Sequence, residues 1–307
     1  MRAKGLLTLA LGSFILPYSF FGQSQTPFTD QINRVRPSVA QIVLIIPDAQ
    51  NWKSPRMPAE LQQAFKDGSF IVGTGLLIND TSDILTAAHA AYAIQDVSKK
   101  LADSNIPVNL GVSFVVSNIN SPIVIRSGTL SVGAQIIGID PEYDIAVLQT
   151  AISPEGIGSR VGGTNNTVAP KPLKFSVLNP RDGQEVFVCG FPVGSRDLVT
   201  TSGTIASAEA FEPLLTANAH GFPSPKDVYK VDLRISPGNS GGPLFRESDG
   251  AVIGIIVEVV NNGGYAVAVP AKEVTESLTK HGVKWESAVE LTKLPPPPKG
   301  KKLIPKR

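Results

Sequence analysis

Ser240 sits in Ser236-Pro237-Gly238-Asn239-Ser240-Gly241-Gly242-Pro243-Leu244. Glycines on both sides of a serine let the backbone take turns closed to residues with a Cβ, so the hydroxyl is exposed and nearby N–H groups are gathered into one pocket. An acyl-transfer nucleophile needs that combination, although an ordinary turn could carry the same letters. His89 follows the apolar run Ile84-Leu85-Thr86-Ala87-Ala88. An imidazole at the end of a strand can be held in a cleft as a general base, but a lone histidine there is more often structural. Asp144, in Asp140-Pro141-Glu142-Tyr143-Asp144-Ile145-Ala146-Val147-Leu148, opens an otherwise apolar strand. Burying an aspartate is costly unless a partner uses its charge; an imidazolium is such a partner, and a strand-start turn is the plainer alternative.

These three residues need elements to position them. The strong segments between the ends are short, rich in β-branched residues and bounded by Gly, Pro, Asn or Asp. They are residues 39–46, 70–78, 84–87, 112–116, 135–139, 145–149, 185–189, 252–260 and 265–269. That spacing predicts an all-β barrel or sandwich rather than strands alternating with helices. Helical patterns are confined to residues 58–66, 89–102 and 272–281, the last preceded by Pro270, which suits a helix start.

The chain order is His, Asp, Ser, which is that of chymotrypsin-like enzymes and not of subtilisins or α/β-hydrolases. The sequence resembles the chymotrypsin-fold serine endopeptidases, and within them the HtrA (Deg) group, over roughly residues 28–280. Val35-Arg36-Pro37-Ser38-Val39-Ala40 is similar to the HtrA approach to the first strand, and Gly73-Thr74-Gly75 to its Gly-Ser-Gly. Gly190-Phe191-Pro192-Val193-Gly194, then Val199-Thr200-Thr201-Ser202-Gly203-Thr204-Ile205, resemble the family's glycine-proline loop and threonine-serine-glycine strand. Val231-Asp232-Leu233-Arg234-Ile235 leads into the nucleophile loop as it does there. Gly254-Ile255 and Tyr265-Ala266-Val267-Ala268-Val269-Pro270 look like the last strands and the exit into a final helix.

The resemblance implies two packed six-stranded β-barrels, chymotrypsin-like, with a C-terminal helix. It implies His89 as general base and acid, Asp144 as its orienter and Ser240 as nucleophile. The oxyanion hole would be the backbone N–H groups of Gly238 and Ser240, with Asn239 as a further candidate. The expected function is a serine endopeptidase acting on unfolded or flexible polypeptides through an acyl-enzyme, without a cofactor or metal. A catalytically silent scaffold that keeps the fold, or an esterase with the same triad, stays open. HtrA relatives are often homotrimers, but no residue here establishes that. Activation would be an ordering of the loop around residues 190–203.

The sequence also departs from the family. HtrA proteins usually carry PDZ domains after the protease, and none fits here. Ile256, Val257 and Glu258 stand where the family commonly has a polar residue, a hydroxyl and a small residue. Thr86-Ala87-Ala88-His89 is nearer to animal trypsins, with Ala90 in place of their cysteine. Residues 51–68 form an insertion. Phe70-Ile71-Val72-Gly73 resembles a zymogen cleavage point, yet cutting there would discard the first strand, so no such cleavage is expected.

Composition sets the outer bounds. The chain has 307 residues, 42% hydrophobic and 18% charged, with 28 Gly and 25 Pro, which excludes a disordered or fibrous protein. A single cysteine, Cys189, allows no internal disulfide and reads as a buried small hydrophobe. Three histidines (His89, His220, His281) leave little for a His-rich metal centre, and the last two have no recognisable partner. Residues 1–24, with Arg2 and Lys4 ahead of a short apolar run broken by Pro17, read as a secretory signal, implying export to the periplasm or beyond. Residues 25–286 would be the protease domain. Residues 287–307, with Pro295–Pro298 followed by five cations, read as a solvated tail. The net charge of +2 therefore hides an acidic body, which argues against nucleic acid as a partner.

Overall fold

The computed structural model describes residues 28–49, 68–117, 126–156, 170–192, 195, 197–222, 226–259 and 264–288. The first barrel comprises β1 (Val39–Ile45), β2 (Ser69–Leu77), β3 (Asp83–Ala87), β4 (Asn109–Ser117), β5 (Arg126–Asp140) and β6 (Ile145–Thr150). They close in the order β1-β2-β3-β6-β5-β4. The second contains β8 (Glu185–Gly190), β9 (Val199–Glu212), β10 (Lys226–Asp232), β11 (Pro243–Arg246), β12 (Val252–Val259) and β13 (Ala266–Pro270). Its order is β11-β8-β9-β10-β13-β12, and pairing of β11 with β12 closes the ring. Two short strands, β7 (Lys174–Phe175) and β14 (Glu286–Ser287), extend it beyond β12. The expected pair of six-stranded barrels is therefore present.

Alternation along each strand explains why the barrels pack. Side chains two apart share a face, so a strand with both faces buried reads as a continuous apolar run. In β8, Val186 and Val188 point into the second barrel, while Phe187 and Cys189 face the other way. In β3, Ile84 enters the first barrel and Leu85 leaves it. The outward set, with Val39, Leu76, Val147, Phe245, Ile255 and Val267, forms one apolar cluster joining the two barrels. Cys189 is part of it, and burial pushes its thiol up to about 11, the value of an inert packing group.

Among the described residues, four α-helices accompany the barrels: α1 (Phe28–Val35), α2 (Ala88–Ala102), α3 (Leu215–Ala219) and α4 (Ala271–Lys280). The second and fourth match the sequence patterns within a residue, and Pro270 stands at the start of α4. The pattern at 58–66, the insertion at 51–68 except Gly68, the leader and nearly all of the tail lie outside the described residues. Phe70 to Gly73 are interior residues of β2, with Ile71 opposite Val43 and Gly73 opposite Ile42, which is no place for a cleavage loop. No helix among the described residues is long and apolar enough to cross a membrane.

Candidate active site

The junction of the barrels holds His89. It is the second residue of α2, directly after β3, and its side chain is 40% exposed. Asp144 comes from the turn that precedes β6, and β6 pairs with β3, bringing the two ends together. The turn is shaped by the Asp140 carboxylate accepting the Glu142 N–H at 3.0 Å and by a left-handed φ of 52° at Asp144 itself, which aspartate tolerates better than most residues.

Three bonds then tie Asp144 to the start of α2. Its Oδ2 lies 2.8 Å from His89 Nδ1, its Oδ1 accepts the His89 N–H at 2.9 Å, and its carbonyl accepts the Ala88 N–H at 3.0 Å. The first turn of any helix has N–H groups without internal partners, and Ala87 offers no side-chain cap. Asp144, with a side chain only 6% exposed, supplies that cap from another strand and orients the ring at the same time. Burial disfavours a charged imidazole, but the hydrogen bond and charge of Asp144, with a smaller pull from Glu258, outweigh it and hold His89 above the ordinary histidine value.

Ser240 is carried by the loop between β10 and β11. Its carbonyl accepts the Thr74 N–H at 3.0 Å, and the Thr74 hydroxyl donates to the Gly238 carbonyl at 2.7 Å while accepting the Phe191 N–H at 2.9 Å. Thr86, in β3, closes the cluster by donating its hydroxyl to the Thr74 carbonyl at 2.7 Å. One β2 residue thus fastens the serine loop, the segment after β8 and the strand that leads into His89. On the other side, Gly241 N–H donates to the Ile256 carbonyl at 2.7 Å and Ile256 N–H to Gly242 at 2.9 Å.

Gly241 has φ +81°, and a Cβ there would lie 2.3 Å from Thr86 Oγ1 and 2.6 Å from Ala87 N. Only a glycine lets the loop approach the His89 strand so closely. Among the three candidate oxyanion donors, the Asn239 N–H is taken by the Ser236 carbonyl at 3.1 Å. Among the described residues, the N–H groups of Gly238 and Ser240 have no internal acceptor, and Gly238 adopts φ +96°. The Ser240 hydroxyl makes no hydrogen bond with His89 in this state; His89 and Asp144 are joined directly, and Ser240 is brought beside them through Thr74, Thr86 and Gly241.

Two residues at the site were not assigned a part from sequence. Thr74 was legible only as the middle of a Gly-Thr-Gly within a strand, a pattern that marks close backbone approach. Glu258 stood out only as a departure from the family. Of the other histidines, His220 stacks on Tyr92 of α2 with ring centroids 4.4 Å apart, and His281 Nδ1 lies 2.9 Å from the Ser277 carbonyl. Two cavities of about 460 and 710 Å³ elsewhere include none of His89, Asp144 or Ser240.

Two closed barrels, with a carboxylate-bound histidine and a glycine-rich serine loop meeting at their junction, define the two-barrel serine-peptidase scaffold. The chain belongs to the trypsin-like peptidase domain family, whose model matches residues 73–255. It is 25% identical over 303 residues to the periplasmic serine endoprotease DegP of Salmonella typhimurium, covering 91% of this chain and 59% of that one. It is 34% identical over 131 residues to Protease Do-like 1, chloroplastic, of Arabidopsis thaliana, covering 43% and 26%. Among solved structures, the active form of the Rv3671c protease from M. tuberculosis superposes with a TM-score of 0.53 at 20% identity, over 92% of this chain and 97% of that one. The HtrA-type protease AlgW with a decapeptide gives 0.52 at 21% identity, over 84% and 69%. These two likenesses speak for the fold. The chain spans between about a quarter and six tenths of the length of these two curated relatives.

Proposed function

We propose that this protein is a serine endopeptidase in which Ser240 attacks a peptide carbonyl while His89 takes its proton. The reading rests on the buried Asp144 carboxylate 2.8 Å from His89 Nδ1, because an imidazole so held presents its other nitrogen for proton transfer and has a counter-ion for the charge it gains. The oxyanion of the tetrahedral intermediate is received by the Gly238 and Ser240 N–H groups, and Asn239 contributes through the turn rather than through its own amide. His89 next protonates the leaving amine, and water, activated by the same ring, releases the acyl group.

Unfolded or flexible polypeptide is the substrate class. The serine endoprotease name of the Salmonella relative supports a polypeptide substrate. Residues 1–24 act as an export signal, residues 25–286 form the catalytic domain and residues 287–307 a tail; the periplasmic relative supports export.

The test is to incubate the purified protein with a fluorophosphonate probe and with unfolded casein, beside Ser240→Ala. Labelling and casein cleavage that both disappear in the variant are expected. Absence of labelling and cleavage in the unsubstituted protein would overturn the assignment, and labelling without cleavage would convert it to an esterase.

A further inference from the structure

Glu258 is the one acidic residue of β12, and its position follows from strand pairing. Val267 of β13 pairs with Lys230 of β10 on one side and with Glu258 of β12 on the other. Residues paired across neighbouring strands project to the same face, so Lys230, Val267 and Glu258 form one row, with the two charged residues about 10 Å apart across two strand spacings. Val267 belongs to the apolar cluster between the barrels. The row therefore faces the first barrel and the cleft, not the interior of the second.

Along β12 the distance is equally constrained. Ile256 accepts the N–H of Gly241, the residue after Ser240, at 2.7 Å. Glu258 follows two residues later, across a bulge in which two steps of β12 match one step of β13, so it lies nearer than two regular strand steps. Its carboxylate lies within electrostatic reach of both His89 and Asp144.

The cation in its row is already engaged: Lys230 pairs with Glu212. Among the described residues no Lys or Arg pairs with Glu258, and the nearest polar compensation is the backbone N–H of Leu215, which faces the carboxylate. Partial burial raises the Glu258 carboxyl above its usual range, the mark of an anion short of solvation. Beside it, Leu215 is 67% exposed and offers apolar surface. An under-solvated carboxylate next to an exposed aliphatic group matches a long cationic side chain, whose methylene stem packs while its head pairs.

We propose that Glu258 is a specificity-determining residue that receives a lysine or arginine side chain of the polypeptide substrate, within about two residues of the bond that Ser240 attacks. This rests on the peptidase reading, so it is tested first without turnover. In the Ser240→Ala protein, peptide pairs that differ only by Lys against its uncharged analogue Gln at one position are compared by fluorescence anisotropy, with and without Glu258→Gln. At one position near the scissile bond the Lys peptide is expected to bind about tenfold tighter, an advantage that vanishes in Glu258→Gln, while the Gln peptide binds both proteins alike. Glu258→Lys should reverse the preference toward a Glu-containing peptide. Equal binding of Lys and Gln peptides at every position, or a Lys preference that survives Glu258→Gln, would overturn the proposal. So would an effect of Glu258→Gln confined to the pH profile, which would make the residue an electrostatic support for His89 alone. Loss of the peptidase reading looks different: cationic peptides would still bind through Glu258, while the protein with Ser240 intact would neither label with fluorophosphonate nor cleave casein.

Discussion

The Thr74 hydroxyl donates a 2.7 Å hydrogen bond to the Gly238 carbonyl, linking a strand of the first barrel to the serine loop of the second. With the Asn239 N–H held by Ser236, this bond fixes the peptide plane just after the proposed oxyanion donor Gly238. The same oxygen accepts the Phe191 N–H, so one side chain satisfies two backbone groups. Thr74→Val keeps the shape but leaves both groups without a partner in a buried place. It should cost about 1 to 3 kcal/mol of stability by urea denaturation. A loosened donor pocket should also lower kcat by at least about tenfold, and Thr74→Ser should restore both quantities. A valine variant with full activity would remove Thr74 from the site.

Asp144→Asn tests the orienter. The amide can still accept the His89 N–H through its oxygen, so α2 keeps its start, but the NH2 group then faces Nδ1 and forces the wrong tautomer. kcat/KM on a peptide substrate should fall by about 10³ to 10⁴, with the far-ultraviolet spectrum unchanged. A loss below about tenfold would show that Asp144 serves the helix and not the ring.

The raised pKa of His89 makes a pH prediction with a definite sign. The base must be neutral, so the acid limb of kcat/KM should lie above about 6.5, the ordinary histidine value. Removing a negative charge weakens the imidazolium, so Glu258→Gln should move that limb to lower pH. Stability runs the other way. A group whose pKa is higher folded than unfolded contributes its full stabilisation below about 6.5 and loses it as pH rises through the folded value. The stability difference between the unsubstituted protein and His89→Gln should therefore shrink between pH 5.5 and pH 8.5, as urea titrations at both would record. A difference that grows with pH would contradict the raised value.

Gly241→Ala probes the close approach of the loop to the His89 strand. The added Cβ would sit in a left-handed conformation, 2.3 Å from Thr86 Oγ1 and 2.4 Å from the Thr74 carbonyl. Strain and overpacking together should cost about 2 to 4 kcal/mol. Fluorophosphonate labelling should fall with it, since the loop has to move away from β3. A variant as stable as its parent would mean that the approach is looser than the geometry indicates.

Much of this was legible along the chain because its signals are local. A strand buried on both faces must be apolar throughout, which makes β1, β3, β6 and β12 readable as runs; a serine between glycines announces an unusual turn; and a histidine and an aspartate at the edges of apolar strands stand out by the cost of burying them. The long pair β9 and β10 is mostly Thr, Ser, Ala and charged residues with half-exposed faces, and two bulges interrupt its register, so only part of it could be read. The tertiary structure alone decided that Thr74 holds the serine loop, that the Asn239 N–H is spent inside its own turn and that Glu258 stands within electrostatic reach of His89, in a row whose cation is engaged elsewhere. Residue type and local pattern set what each group can do. Which groups meet is set by how two closed barrels pack, through contacts such as that of Thr74 with Gly238 between segments more than a hundred residues apart.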